Sequence, residues 1–343
     1  MGVGISPNDA EAARLLLIKF DLLDFKKRPI KTKDFVFFPI LDQKLIPEVL
    51  NDFKFTIQTM NFPQRSIHEP IGKVLLKEFP NLDWGKISLK FDQIGEIAVL
   101  KLDPQYTTPL FRKRAGEEII SRFSKLKAIL NKNDLVSGTE RVYPIEYLAG
   151  EKISQTWHRE YGVLIFVDIK RAYFNPRLAE EHHRVAMSVE SNERILDLFT
   201  GVGSFALHCT KVTDCKVVAI DINPYAIFAL QKSVKRNKLH GAIYPVIGDS
   251  RHILQKHHYF DRVIINLPYI SGNFLSYASK LIKKKGILTF YQFFSKTENP
   301  KEKFLKLIEE ELLNINSYKV LYFKVGREVS PSRIQINVDL QIT

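Results

Sequence analysis

Cysteine is scarce, with Cys209 and Cys215 the two in 343 residues. Two thiols build no disulfide framework; their spacing matches no zinc pattern, and no histidine pair completes one. His182-His183 and His257-His258 are adjacent, so within a regular element the members of each pair point to different faces. The chain is therefore expected to work in a reducing, cytoplasmic setting and to hold no structural metal. Long apolar runs are also missing. None reaches the roughly 18 residues that span a bilayer, and the N-terminus lacks a signal-peptide layout. Met1-Gly2-Val3-Gly4-Ile5-Ser6 does fit the loose myristoylation pattern, which is short enough to match by chance. Acidic residues are in deficit, 38 against 51 Lys and Arg, for a formal net charge of +13. A surplus of that sign favours a polyanionic partner through phosphate neutralisation. The clusters Lys26-Lys27-Arg28, Arg112-Lys113-Arg114 and Lys283-Lys284-Lys285 taken singly read as solvated faces.

What is present is ordinary globular composition, 45% apolar and 26% charged, in a chain long enough for two or three domains. Asn8-Asp9-Ala10-Glu11 reads as a capping box leading into an apolar helix through Leu15-Leu16-Leu17 to Leu23. Phe35 to Ile40 is extended, and Pro63, Pro70 and Gly72 mark a linker. Ile87, Leu89 and Phe91 alternate with Ser88 and Lys90, which is strand periodicity. A turn at Gly95 leads to a second strand, Ile97 to Leu102. A basic helix is expected over Ala115 to Leu130 and a further strand over Tyr161 to Lys170. From Arg194 onward strands alternate with helices: Ile195–Phe199, Lys216–Asp221, Ile243–Ile247, Arg262–Asn266 and Gly286–Gln292, with helices starting near Ser204, Pro224, Gly272 and Pro300. Two last extended runs, Lys319–Val325 and Ile334–Ile342, have no helix between them. The fold class that follows is α/β, a doubly wound, mainly parallel sheet with an antiparallel C-terminal edge hairpin. Small N-terminal α+β domains precede it, with boundaries at 1–62, 63–160 and 161–343.

The sharpest local signal is Asp197-Leu198-Phe199-Thr200-Gly201-Val202-Gly203, a strand running through a glycine turn into a helix. Glycines there let the backbone approach a ligand that a Cβ would block. Asp221, at the end of the next strand, can accept both hydroxyls of a ribose. The Gly201-x-Gly203-x-x-Ala206 spacing suits a dinucleotide or the nucleoside-binding loop of class I methyltransferases. Asp197 favours the second, because a carboxylate before the turn suits an ammonium or sulfonium and opposes a pyrophosphate. Asp249 follows the third strand, where an adenine amino group could donate to it. Asn266-Leu267-Pro268-Tyr269 ends the fourth strand, on the side where open α/β sheets bind ligands. An Asn there can accept a hydrogen bond from an amino or imino N–H, and a Tyr can stack on a planar base.

Gly138-Thr139-Glu140-Arg141, Leu148-Ala149-Gly150-Glu151, Tyr173-Phe174-Asn175-Pro176-Arg177, the Asp197–Gly203 loop, Asp221-Ile222-Asn223-Pro224 and Asn266-Leu267-Pro268 occur in that order. With these segments the chain resembles the archaeal and eukaryotic tRNA (guanine-N1)-methyltransferases that act at position 37, beside the anticodon. The resemblance implies a tRNA substrate, S-adenosylmethionine as cofactor and a monomer. It also implies a small N-terminal domain for the tRNA elbow, a second domain and a class I, Rossmann-like methyltransferase domain. Arg141, Glu181 and Asn266 fall on the family's catalytic positions. Asp197, Phe199, Gly201, Gly203, Asp221, Ile222, Asp249, Asn266 and Pro268 fall along its cofactor site; Arg141, Tyr173, Arg177, His182 and Tyr269 lie on the substrate side. The chemistry agrees: guanine N1 must lose its proton, Glu181 can take it, and Arg141 can stabilise the charge developing on O6. Two departures stand out. His182 follows Glu181 where the family has Arg, and Tyr269 follows Pro268 where many members are basic. The Asn-Leu-Pro-Tyr ending resembles an archaeal subgroup that also methylates carbon 7 of the wyosine precursor imG-14. The rivals are an aminocarboxypropyl transferase of the wyosine route, an exocyclic-amine methyltransferase and a non-catalytic RNA-binding protein.

Overall fold

The computed structural model describes residues 1–64, 69–132, 144–253, 257–269, 274–312, 317–330 and 332–343. The chain divides into two compact units, Met1–Val74 and Leu75–Thr343. In the first, strand β1 (Gly2–Ile5) is followed by helix α1 (Ala10–Lys19), β2 (Ile30–Lys31), β3 (Val36–Pro39), α2 (Ile46–Val49) and β4 (Phe55–Gln58). The sheet order is β2-β3-β1-β4, and α1 packs Ala13 and Leu17 into a core with Val3, Ile5 and Phe38. The Gly2–Ile5 segment that fits a lipidation pattern is thus a buried central strand. The expected capping box does not form. Asp9 has helical backbone angles and makes no cap bond; its carboxylate instead accepts from the Ser6 hydroxyl at 2.8 Å.

Helix α3 (Ile71–Glu78) comes next, then β5 (Phe91–Ile94), β6 (Ile97–Leu100), α4 (Pro109–Arg122), β7 (Ala128–Lys132) and β8 (Ile145–Gly150), in sheet order β5-β6-β7-β8. The hairpin begins four residues later than the alternation from Ile87 suggests. Gly95, at φ +56°, makes a two-residue turn that pairs Ile94 with Ile97, and β6 has no residues left to partner Ile87 or Leu89. The basic helix likewise starts earlier than expected, because Thr108 caps it by accepting from the Phe111 N–H at 3.1 Å and Pro109 suits its first turn. It stops at Arg122, and Ala128–Lys132 forms the strand beside β6.

An antiparallel hairpin follows, β9 (Gln155–Glu160) and β10 (Val163–Asp168), turned by Tyr161 and Gly162, both at positive φ. After one 3-10 turn (Pro176–Leu178) and α5 (Ala179–Met187) come β11 (Arg194–Asp197), α6 (Ser204–Val212), β12 (Lys216–Asp221), α7 (Pro224–Arg236), β13 (Ala242–Ile247), α8 (Ser250–Ile253), β14 (Phe260–Ile265), α9 (Leu275–Leu281), β15 (Ile282–Ser295), α10 (Pro300–Glu311), β16 (Tyr318–Ser330) and β17 (Arg333–Ile342). The seven-stranded sheet runs β13-β12-β11-β14-β15-β17-β16, parallel from β13 to β15 and antiparallel at β17 and β16. The sequence missed β9, whose polar residues show little of the hydrophobic run that marks β10. The helix expected near Gly272 is seen from Leu275; residues 271–273 lie outside the described part. Two apolar clusters cover the sheet. One joins Ile97, Ala128 and Leu130 of the smaller sheet to Ile165, Val185, Phe205 and Leu230. The other holds Val263, Leu288, Phe290, Phe304 and Val338. No described helix is long and apolar enough to cross a membrane.

The outer edge of β10 is closed by side chains of α7 and its cap. Asn237 accepts from the Leu164 N–H at 2.9 Å and donates to the Leu164 carbonyl at 2.7 Å, while Ser233 accepts from the Phe166 N–H at 2.8 Å. These bonds replace a neighbouring strand. Asn237→Ala leaves two half-buried backbone groups unpaired and is expected to cost roughly 1–3 kcal/mol, read as a lower urea midpoint at unchanged slope.

Candidate active site

The carboxyl ends of the parallel strands open onto a cavity of about 1610 Å³. Its floor is the turn after β11. The Thr200 N–H donates to the Ile220 carbonyl at 2.8 Å, and the chain then passes through Gly201 (φ +56°) and Gly203 (φ +85°) into α6. The two glycines serve different ends. A Cβ on Gly201 would meet nothing nearer than the Tyr173 carbonyl at 3.9 Å, so this position faces open space in the cavity. A Cβ on Gly203 would lie 2.2 Å from Leu230 Cδ1. Gly203 therefore permits close packing on α7 and does not itself line the cavity.

Asp221 lines the cavity and shapes the turn. Its Oδ2 accepts from the Gly201 N–H at 2.7 Å and its Oδ1 from the Asn223 N–H at 2.9 Å. Asn223 in turn caps α7 and donates to the Arg171 carbonyl at 2.7 Å. Ile222, Phe199 and Asp249 line the same wall. Hydrogen bonding to Arg251, whose Nε lies 3.0 Å from Oδ1, lowers the Asp249 carboxyl to about 2. Asp197 is placed differently from the sequence expectation. Its carboxyl is fully buried beneath the turn and is not among the residues lining the cavity, so in this structure it supports the loop. The Thr200 hydroxyl donates to its Oδ2 at 2.8 Å, and burial pushes it up to about 7.

The opposite wall is Asn266, Leu267, Pro268 and Tyr269, directly after β14. The Phe293 N–H donates to the Pro268 carbonyl at 2.9 Å and fixes this segment to β15. The Tyr269 ring stands edge-on to Phe293 at 4.9 Å, with the Arg333 guanidinium 5.4 Å over it. Tyr173, Arg177 and Glu181 line the third side. Arg177 Nε donates to Asp92 Oδ1 at 2.7 Å, which ties the 3-10 turn to β5. Glu181 is buried, and its Oε1 accepts from Arg184 Nη2 at 2.7 Å, Arg184 Nε at 3.0 Å and the Tyr291 hydroxyl at 3.0 Å. Arg184 also donates to Asp339 Oδ2 at 2.7 Å and stacks over Tyr322. Burial works against the Arg184 charge, but Glu181 and Asp339 outweigh it and raise its basicity above the usual value. Tyr291, wholly buried against Glu181, is held well above the ordinary phenol range by burial and by that carboxylate. Lys90, Lys101, Lys132, Lys324 and Arg333 add positive charge to the cavity lining.

Of the residues singled out in the sequence, Glu181, Asn266, Asp221, Ile222, Asp249, Phe199, Gly201, Pro268, Tyr173, Arg177 and Tyr269 share this cavity. Arg141 lies outside the described residues. His182 borders the cavity, yet its ring is buried and its Nδ1 sits 2.8 Å from Glu160 Oε2. The substrate contact expected of it gives way to a polar cluster of Glu160, His182 and His208 behind α5. Burial would raise the Glu160 carboxyl, but the imidazoles of His158, His182 and His208 outweigh it and hold it well below the usual range. The sequence also missed Tyr291 and Asp339 as partners of the Glu181–Arg184 pair. Arg184 was legible as an i+3 neighbour on a helix, whereas the other two come from distant strands.

Residues 71–153 match the TYW2 N-terminal domain, and residues 156–321 match the TRM5/TYW2 methyltransferase domain. Over 345 residues the chain is 30% identical to the tRNA (guanine(37)-N(1))-methyltransferase Trm5b of Methanocaldococcus jannaschii, covering 98% of this chain and 97% of that protein. The chain belongs to the TRM5/TYW2 methyltransferase family. A second relative, the tRNA 4-demethylwyosine(37)-methyltransferase Taw21 of Saccharolobus solfataricus, is 29% identical over 78% of this chain and 99% of its own length. The solved complex of aTrm5 with tRNALeu superposes with a TM-score of 0.72 at 28% identity, covering 100% of both chains. Methanocaldococcus jannaschii Trm5 bound to adenosine gives 0.67 at 28% identity, over 99% of this chain and 98% of that one. The α/β sheet with its antiparallel edge is the TRM5/TYW2 fold expected from the sequence.

The Asp197 carboxyl sets a pH dependence with a definite sign. Folded, it keeps its proton up to about 7; unfolded, it loses it near about 3.9. Its contribution is full below about 4 and declines as pH rises to about 7, by up to about 1.4 kcal/mol per unit. Asp197→Asn removes that decline. Urea midpoints of the two proteins should draw apart as pH rises from about 4 to about 7 and run parallel above that; parallel profiles throughout would contradict the assignment.

Proposed function

We propose that the chain is a tRNA (guanine(37)-N1)-methyltransferase that uses S-adenosylmethionine. The observation that carries this reading is the convergence of Glu181 and Asn266 on the cavity floored by the Gly201 turn and Asp221. The residues suit a nucleoside cofactor. Gly201 leaves its approach open, Asp221 presents a carboxylate to a ribose, Ile222 and Phe199 offer apolar surface, and Asp249 can accept from an adenine amino group. When bound, S-adenosylmethionine supplies an electrophilic methyl group on sulfur.

The protein's own residues then prepare guanine N1. The base must leave the anticodon-loop stack to reach the cavity, where the exposed Tyr269 ring offers a stacking face. Glu181 accepts the N1 proton. Among the described residues its three hydrogen bonds all fall on Oε1, which leaves Oε2 as the oxygen for a substrate. Asn266 orients the ring, and Arg141 carries the charge developing on O6. The lysines of the lining and the net charge of +13 serve the phosphate backbone. We place the enzyme, as a monomer, in the cytoplasm, where its two buried thiols stay free.

Methyl transfer is favoured over aminocarboxypropyl transfer because the Trm5b methyltransferase aligns with 98% of this chain, against 70% for an aminocarboxypropyltransferase relative. A second substrate, 4-demethylwyosine (imG-14) at the same position, is supported by the Asn-Leu-Pro-Tyr ending and by the Taw21 relative. Incubation of tRNA carrying that tricyclic base with labelled cofactor tests it, and absence of label on the base would remove this second activity.

Glu181→Gln keeps the shape and removes the base. It should lower kcat by about 10²–10⁴ while leaving tRNA affinity unchanged. Tyr291→Phe removes one of the three bonds on Oε1 and should lower kcat by roughly tenfold. Single-turnover kinetics with filter binding measures both. Near-wild-type turnover in Glu181→Gln would refute the assignment of the base.

A further inference from the structure

Behind the wall that carries Glu181, three elements bring together a buried carboxylate and two buried imidazoles: Glu160 at the end of β9, His182 on α5 and His208 on α6. His182 Nδ1 lies 2.8 Å from Glu160 Oε2, and His208 Nε2 lies 3.2 Å from the same oxygen. The three ligand atoms are all within 4.8 Å of one another, and each side chain is at most 4% exposed. His208 Nε2 and Glu160 Oε1 are buried with no hydrogen-bond partner. One shared proton can link His182 to Glu160, but it leaves the second imidazole nitrogen facing an oxygen it does not bond. With both rings neutral, the desolvated carboxylate would also lack a countercharge, which is costly.

We propose that Glu160, His182 and His208 form a binding site for one divalent transition-metal ion, with zinc the ion of choice. Two imidazole nitrogens and one carboxylate oxygen are a borderline donor set, and ligands at 2.0–2.1 Å from a tetrahedral zinc lie about 3.3 Å apart. The two separations from Glu160 Oε2, 2.8 and 3.2 Å, lie close to that value, and the two imidazole nitrogens lie within 4.8 Å of each other. The ion neutralises Glu160, satisfies the bare His208 nitrogen and leaves a fourth position for water. His158 stays outside the ligand set. Its Nδ1 accepts from the Gly95 N–H at 3.1 Å, so the neutral ring carries its proton on Nε2, which faces Glu160 Oε1 at 3.6 Å. The metal clamps α5 to β9 and α6 one residue from Glu181, and so holds the helix that bears the base. The site stands on its own ligands and does not depend on the function assigned to Glu181.

The test uses the full chain, stripped with a chelator and reloaded with a slight excess of Zn²⁺ or Co²⁺, then desalted. Wild type should retain about one equivalent of metal, and its melting temperature should rise by several degrees on reloading. The Co²⁺ form should show tetrahedral absorption in the visible without a thiolate charge-transfer band. His208→Gln and His182→Gln should each lose at least about nine-tenths of the bound metal, whereas His257→Gln, an exposed site elsewhere, should retain it. Retention of less than about a tenth of an equivalent by reloaded wild type would overturn the proposal; so would equal retention by the two ligand variants. If those variants do not fold, the wild-type Co²⁺ spectrum decides: octahedral or thiolate-type absorption overturns the site.

Discussion

Everything about this active site turns on how one buried carboxylate is held. Glu181 sits on a short helix that lies over the sheet, and burying its charge without partners would be prohibitive. Arg184, one turn along, supplies two charge-assisted bonds, and Tyr291 on β15 supplies a third. Arg184 is itself fixed by Asp339 on β17 and by the face of Tyr322 on β16. A local helix pair thereby becomes a fastening between α5 and the antiparallel edge. The edge hairpin thus does more than close the sheet, since it sets where the proposed base stands relative to the strand ends.

The cofactor side is organised by the same economy of carboxylates in contrasting settings. Asp221 is at the cavity surface, where backbone N–H groups of the glycine turn and of the next helix start converge on it. Asp197 is beneath that turn, cut off from solvent, and works by holding Thr200. Both bracket the same few residues, so the turn is set from above and below. Gly203 completes it by letting Leu230 of α7 come close.

Much of this was legible in the sequence. The alternation of strands and helices from Arg194, the Asp197–Gly203 turn, Asp221 and Asn266-Leu267-Pro268 are local patterns, and local patterns specify where a chain turns. The same locality explains the failures. The Ile87–Phe91 alternation has the right period but no strand to pair with, because register is set by the turn at Gly95. Asp197 looked like a ligand contact, since sequence shows that a carboxylate precedes the turn but not which side of the sheet it faces. His182 looked like a substrate residue because of its neighbour Glu181, yet adjacent helical positions face different ways, and its partners Glu160 and His208 are brought to it only by folding. Spacing along the chain also says nothing about ligands gathered from β9, α5 and α6, which is where the metal site proposed above stands.

The central claim is that this cavity methylates N1 of guanosine 37. Its most direct test is mass spectrometry of nucleosides and of nuclease fragments from tRNA bearing guanosine 37, after incubation with the protein and isotopically labelled S-adenosylmethionine. Labelled 1-methylguanosine in the anticodon-loop fragment is the expected product. Label on another base or at another position, or tRNA that binds yet emerges unlabelled, would contradict it.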